Sequence, residues 1–219
     1  MKAEDVIRFL QDNPSFFEEY AELLAQIYIP HPHGGRAIPI AERQILTLRE
    51  KSKLLEAKLS ELIHFGEEND AIGEKMHRLC LALIGAVDRQ TMLHALYYNL
   101  REDFGVPHAA LRIWGAGPGA AATTGSEFEP VSDELRRYAT SLEHPNCGGS
   151  ANPEIAAWFG EAADRLRSAA HIPLRDCGNA CVGMLALASE EPTRFYPEMG
   201  TLYLKRLGEL ASAALERYR

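Results

Sequence analysis

Most familiar catalytic signatures are missing from this chain of 219 residues. It holds no Gly-x-Ser-x-Gly elbow, Walker loop, His-Glu-x-x-His helix or recognisable Ser-His-Asp set. Its longest apolar runs, near Cys80–Val87 and Cys181–Ala188, fall far short of the roughly 18 residues of a membrane-spanning helix. The start, Met1-Lys2-Ala3-Glu4-Asp5, has no apolar core of a secretory leader. Cysteine is scarce: Cys80, Cys147, Cys177 and Cys181 are too few, in a chain this long, to read as a disulfide framework. Basic residues are the minority, 23 Lys and Arg against 31 Asp and Glu, for a net charge of -8. That balance gives no global attraction to nucleic acid or anionic lipid. Together these absences predict a cytoplasmic protein with reduced thiols, no nucleic-acid or membrane partner, and no enzymatic activity.

What is present suits a globular protein. Hydrophobic residues make up 46% and charged residues 25%, enough to bury a sizeable core. At roughly 100–200 residues per domain, the length allows one medium domain with an extension, or two small ones.

Hydrophobic spacing divides the chain into three expected parts. Residues 1–36 read as a helical hairpin and loop. Val6, Ile7, Phe9 and Leu10 begin one helix, Asn13-Pro14 interrupts it, and Phe16, Phe17, Tyr20, Leu23, Leu24 and Ile27 carry a second. Pro- and Gly-rich residues 29–39 read as a loop. Residues 37–74 read as a long dimerising helix inside a helical stretch from Ile40 to about Ala86. With Ile45 at heptad position a, Leu48, Leu55, Leu59 and Leu62 complete an a/d seam, and Ser52 is its polar interruption. A parallel pair places Lys51 (g) beside Glu56 (e) of a partner. The alternative is a helix packed on its own domain. Gly66, Asn69 and Gly73 predict a kink or junction where the seam fades.

Residues 75–219 read as α+β. Helices are expected over 75–87 and 89–104, a strand over 109–114, a short strand near 127–130, and a helix over 132–142 with Ser132 as its cap. A loop over 144–153 and a short helix over 155–159 follow. Strands over 168–174 and 181–188 form a hairpin, and a final helix starts at Pro197. The expected class is an antiparallel sheet covered by helices, preceded by a helical hairpin and a long coiled-coil-like helix.

Several stretches resemble the domain-of-unknown-function family 484. They are Phe9-Leu10, Asn13-Pro14-Ser15-Phe16-Phe17, Ile29-Pro30-His31-Pro32, Glu42-Arg43-Gln44, Leu48-Arg49-Glu50 and Asn69-Asp70. Pro145-x-Cys147-Gly148, Ile172-Pro173-Leu174 and the run Arg194 to Thr201 complete the ordered set. The resemblance implies an N-terminal helical segment followed by a GAF-like domain, a fold that takes small molecules in a pocket between its sheet and covering loops. It implies no reaction. Cys177 and Cys181 lie outside the pattern.

Trp114, Tyr138, Cys147 and Trp158 are the expected pocket residues. Ile113 is an alternative to Trp114 on the same strand. No metal site is expected. The nearest candidate, His144, Cys147, Cys177 and Cys181, offers the soft ligands zinc prefers but departs from zinc-knuckle spacing. Cys147 could instead serve a thiol-dependent reductase, which needs a thiolate of lowered pKa. His31 and His33 make an incomplete ligand set. Gly115-Ala-Gly117-Pro-Gly-Ala120 fits a dinucleotide fingerprint loosely, yet Pro118 and the missing βαβ unit argue against it. The expectation is a non-enzymatic sensory or binding module with an unidentified small-molecule ligand. It acts as a homodimer through the 40–66 helix, with a protein partner downstream. A bare interaction scaffold is the remaining alternative.

Overall fold

A computed structural model of the chain describes residues 2–21, 28–31, 34–114, 125–149 and 152–218. The expected Pro-Gly-rich connection over 115–124, with its loose fingerprint, and His33 of the His-Pro-His stretch lie outside the described residues, as do 22–27 of the second helix. The chain divides into two units, residues 1–68 and 69–219.

In the first unit, α1 (Ala3–Asp12) and α2 (Phe16–Glu19) are separated by Asn13-Pro14. Pro14 removes a backbone donor, and Asn13 Nδ2 donates to the Phe9 carbonyl at 2.9 Å, closing the helix end. Phe16 sits at the centre of an aromatic cluster, stacked on Tyr20 at 4.8 Å and edge-on to Phe9 and Phe17 at 6.0 Å each. β1 (Tyr28–His31) and β2 (Gly34–Pro39) pair antiparallel where a loop over 29–39 was expected. Three prolines and two glycines argued for irregular backbone; a two-stranded ribbon tolerates them because its outer edges need no partner.

α3 (Ile40–Gly85) follows without a break, and its helical backbone continues through Gly66, Asn69 and Gly73, where a kink or junction was expected. The glycines meet nothing within 4 Å, so they cost helix propensity and little else.

In the second unit, four strands pair antiparallel in the order β3-β6-β5-β4: β3 (His108–Ile113), β4 (Asn146–Gly148), β5 (Ser168–Arg175) and β6 (Cys181–Ser189). The larger core lies on one face. Met76, Leu79 and Leu83 of α3 occupy one helical stripe. Met92, Leu96 and Leu100 come from α4 (Arg89–Glu102), and Leu207, Ala211 and Leu215 from α7 (Leu202–Glu216). All close over Leu111, Ile172, Leu174, Leu185 and Leu187 of the strands. Each such leucine contributes about 1.5–3 kcal/mol of burial. α7 approaches closely at Gly208, where a Cβ would stand 2.6 Å from Ile172 Cγ2.

The opposite face is thinner. It carries α5 (Asp133–Ser141), α6 (Pro153–Ala157) and a 3-10 turn, Gly160–Arg165, which pack Leu135, Ala139 and Ile155 on Met184 and Ala186. Ser132 caps α5 as expected, accepting from the Leu135 N–H at 3.1 Å, and its own N–H donates to Glu154 Oε1 at 2.8 Å.

Three local expectations are corrected. Residues 126–128 form a 3-10 turn in place of a short strand. The loop over 144–153 contains β4, because Asn146–Gly148 finds the free edge of β5 at Ala169–His171. The last helix starts at Leu202, since Pro197–Gly200 forms a turn closed by Met199 N–H donating to the Tyr196 carbonyl.

β4 is short, so among the described residues no strand lies beside the outer edge of β5 beyond His171. Pro173 lacks an N–H there, and the Arg175 N–H donates to Ser212 Oγ at 3.1 Å. The edge is thereby closed to further strand pairing.

Candidate functional site

β-Strand alternation sends Ala110, Arg112, His171, Met184 and Ala186 to the thinner face, opposite Leu111, Ile172 and Leu185. Two of these are polar and almost fully buried: Arg112 is 7% exposed and His171 6%. A buried cation needs a partner, and Arg112 has several. Its Nη2 donates to Glu129 Oε2 at 2.9 Å, its Nη1 to the Leu111 carbonyl at 3.1 Å, and its guanidinium lies 5.0 Å from the centre of the Trp158 ring. Trp158 is therefore held by charge as well as by apolar contact.

His171 is only half satisfied. Its Nδ1 meets the Tyr138 hydroxyl at 2.9 Å, and Asn146 Nδ2 donates to that same hydroxyl at 3.0 Å. Asn146 donates into the tyrosine oxygen, and in the tautomer where the phenolic proton goes to Nδ1 the ring proton stands on Nε2. Nε2 is buried and has no hydrogen-bond partner. Burial pushes the imidazole pKa down to about 4, so the ring is neutral at pH 7. A neutral ring with a buried, unspent N–H costs about 1–3 kcal/mol, recovered when an acceptor oxygen reaches it.

The expected pocket residues fall into two groups. Trp114, Tyr138 and Trp158 share the thinner face, Trp114 anchored by its indole N–H donating to the Cys181 carbonyl at 2.9 Å. Cys147 points into the larger core across the sheet, opposite Ala170, so it does not join them. Its thiol is pushed up by burial to about 11, the wrong direction for a nucleophile at neutral pH.

The His144, Cys147, Cys177 and Cys181 set is not brought together either. His144 is exposed, Cys177 is exposed in the β5–β6 turn, and Cys181 packs on the thinner face with its pKa raised by burial. Among the described residues no cluster of three or more His, Cys, Asp or Glu could hold a metal.

Sequence reasoning missed Arg112, His171, Glu129 and Asn146. Arg112 in Ala-Ala-Leu-Arg-Ile and His171 in Ala-Ala-His-Ile-Pro-Leu each stand in an otherwise apolar strand, which is the signal that could have found them.

A groove of about 1000 Å³ runs along α7, lined in part by Pro145, Ile172, Arg175, Cys177, Lys205 and Ser212. Several of its polar groups are engaged within the chain. Arg175 Nη2 donates to the carbonyls of Thr140 and Leu142, closing the end of α5, and Lys205 sits 4.0 Å from Glu209.

An antiparallel sheet with three helices on one face and short connecting helices over a polar cluster on the other defines a GAF-like α+β domain. The chain belongs to the family described as "Protein of unknown function, DUF484", whose profile matches residues 1–219. No curated protein matches it. Among solved structures, it is similar to the GAF domain of a candidate sensor histidine kinase from Pseudomonas syringae pv. tomato (18% identity, TM-score 0.45, 69% of this chain and 90% of that one). It is also similar to the nlh2 GAF domain of A. aeolicus in an inactive state (12%, 0.47, 68% and 98%). A third is the free methionine-R-sulfoxide reductase of Neisseria meningitidis with its substrate (16%, 0.44, 66% and 88%). What these proteins share with the chain is the arrangement of strands and helices. No helix among the described residues is long and apolar enough to cross a membrane.

Proposed function

We propose that this chain is a cytoplasmic, non-enzymatic sensory module that binds a small molecule on the thinner face of its sheet and relays occupancy through a dimerising helix. The observation that carries the reading is the buried, unpartnered Nε2 of His171, on the face where Trp114, Tyr138 and Trp158 gather. Tyr138 and Asn146 hold the imidazole from its other nitrogen, a fixed orientation suited to recognition. The ligand is a compact, uncharged or weakly anionic molecule offering an acceptor oxygen to Nε2–H.

The dimer is supported by the heptad seam of α3. Ile45, Leu48, Leu55, Leu59 and Leu62 are all exposed in the single chain, Leu55 at 66%. A row of apolar side chains at a/d spacing is stable in water when a second helix covers it. The thiol-reductase alternative is opposed by the burial and raised pKa of Cys147.

The test is native mass spectrometry of freshly purified, reduced protein, with the denatured mass as reference. A dimer carrying a small-molecule mass that is lost in His171→Phe supports the reading. A folded wild-type protein whose mass equals the polypeptide alone, and does not change in the variant, overturns ligand binding at this face.

A further inference from the structure

α3 carries more exposed apolar surface than a two-helix seam can cover. In the heptad frame set by Ile45, the seam takes Ile45, Leu48, Leu55, Leu59 and Leu62. Leu46, Leu54 and Ile63 fall at b, c and e, outside it, and they too are exposed. The same chain has a second uncovered surface. On α1 and α2, Val6, Ile7, Phe9, Phe17 and Tyr20 are all exposed, Phe9 at 52%, around the aromatic cluster centred on Phe16. A pair of helices this short cannot bury those side chains on its own. Within one chain, neither surface covers the other.

The charges of the two surfaces are opposite. Residues 2–21 carry five acidic side chains (Glu4, Asp5, Asp12, Glu18, Glu19) against two basic ones. Residues 43–58 of α3 carry five basic side chains (Arg43, Arg49, Lys51, Lys53, Lys58) against two acidic ones. Two complementary surfaces left open on one polypeptide are the ingredients of an isologous interface, in which patch A of each copy meets patch B of the other.

We propose that α1 and α2 of one copy dock on α3 of a second copy, covering the apolar residues off the seam while the two α3 helices pair along it. The dimer head becomes a six-helix arrangement, two long helices with two exchanged helical pairs, and the acidic pair fixes which stretch of the partner's helix it meets. This inference rests on the dimer reading above, but it concerns a different surface.

The experiment uses the full chain. Unlabelled and fully 15N-labelled protein are refolded together and treated with a water-soluble carbodiimide. The reagent joins a carboxylate to a lysine amine as an amide with loss of water. Digestion and mass spectrometry then give the isotope pairing of every cross-link, and light scattering gives the mass of the same sample. The expected result is a dimer in which links from Asp12, Glu18 or Glu19 to Lys51, Lys53 or Lys58 pair light with heavy peptides in about half of cases. A dimer whose links between these segments are all single-isotope means the helices fold back on their own α3, and overturns the exchange. A dimer lacking such links overturns the docking itself while the seam stands. A monomer overturns both.

A charge swap guards against a chance cross-link. Lys53→Glu, at position b outside the seam, should raise the dimer Kd at least threefold, and Glu18→Lys with Glu19→Lys on the same chain should restore it. Failure of the second pair to restore the affinity contradicts the docking.

Discussion

The face of the sheet under α3, α4 and α7 is lined by leucine, methionine and alanine, whereas the opposite face holds Arg112 and His171 among Met184, Ala186 and two tryptophans. The two faces are built from the same strands, so β alternation alone separates an apolar surface from one that carries buried polar groups. Arg112 is neutralised by Glu129 and stacked near Trp158, but His171 keeps a donor unspent. Among the described residues this buried, unpartnered polar atom sits on the less heavily covered side.

That contrast can be broken by comparing substitutions on the two faces. The largest effect is expected for Leu185→Ala in the larger core, about 3 kcal/mol of lost stability in urea unfolding, from lost transfer energy and an incompletely collapsed cavity. A loss below 1 kcal/mol would mean that the helices repack freely and the face is no rigid support.

Next is a pH effect from the thinner face. The folded pKa of His171, about 4, lies below its ordinary value near 6.5, so the unfolded chain takes up the proton first. Its contribution to stability is complete above about pH 7 and is lost as the pH falls from 6.5 through 4, on the order of 3 kcal/mol. Stability of the wild type relative to His171→Phe, followed from pH 7.5 to 4, should show that drop. Parallel profiles for the two proteins would mean that His171 titrates alike in the folded and unfolded chain.

A smaller loss, about 1–2 kcal/mol, is expected for Tyr138→Phe, which removes the hydroxyl shared by His171 Nδ1 and Asn146 Nδ2. Equal stability in thermal unfolding would mean that water serves both groups as well as the phenol does. The smallest effect is expected for Glu129→Gln. Its side chain is 62% exposed, and an ion pair so open to solvent contributes within about 0.5 kcal/mol. A loss above 1.5 kcal/mol would show that neutralising Arg112 is what keeps the thinner face assembled.

Much of the fold was legible in the sequence because hydrophobic period and punctuation agreed there. Ser132 capped the predicted helix, and strands over 168–174 and 181–188 stood out as apolar runs around a Cys-Gly-Asn turn. In that turn Asp176 Oδ1 accepts from the Gly178 and Ala180 N–H groups, and Asn179 takes the left-handed conformation. β4 was not legible, since three residues of strand are specified by the free edge they meet and not by their own pattern. Of the candidate site, Trp114, Tyr138 and Trp158 were named from the sequence and share one face, whereas Cys147 lies across the sheet and His171 was passed over, because the face of a strand that a histidine occupies is set by register and not by its own residue type.

At the end of α3 the Leu83 and Ile84 carbonyls accept from Arg217 Nη1 at 3.3 and 3.0 Å, and the Ala86 carbonyl accepts from the Tyr218 hydroxyl at 2.7 Å. Those partners are more than 130 residues apart in sequence. During synthesis on the ribosome the last turn of the helix emerges long before its caps exist, so it frays until residues 217 and 218 arrive. Closure of this clasp is a late, non-local event, so the last turn of the helix is locked only after the chain as far as residues 217 and 218 has been made.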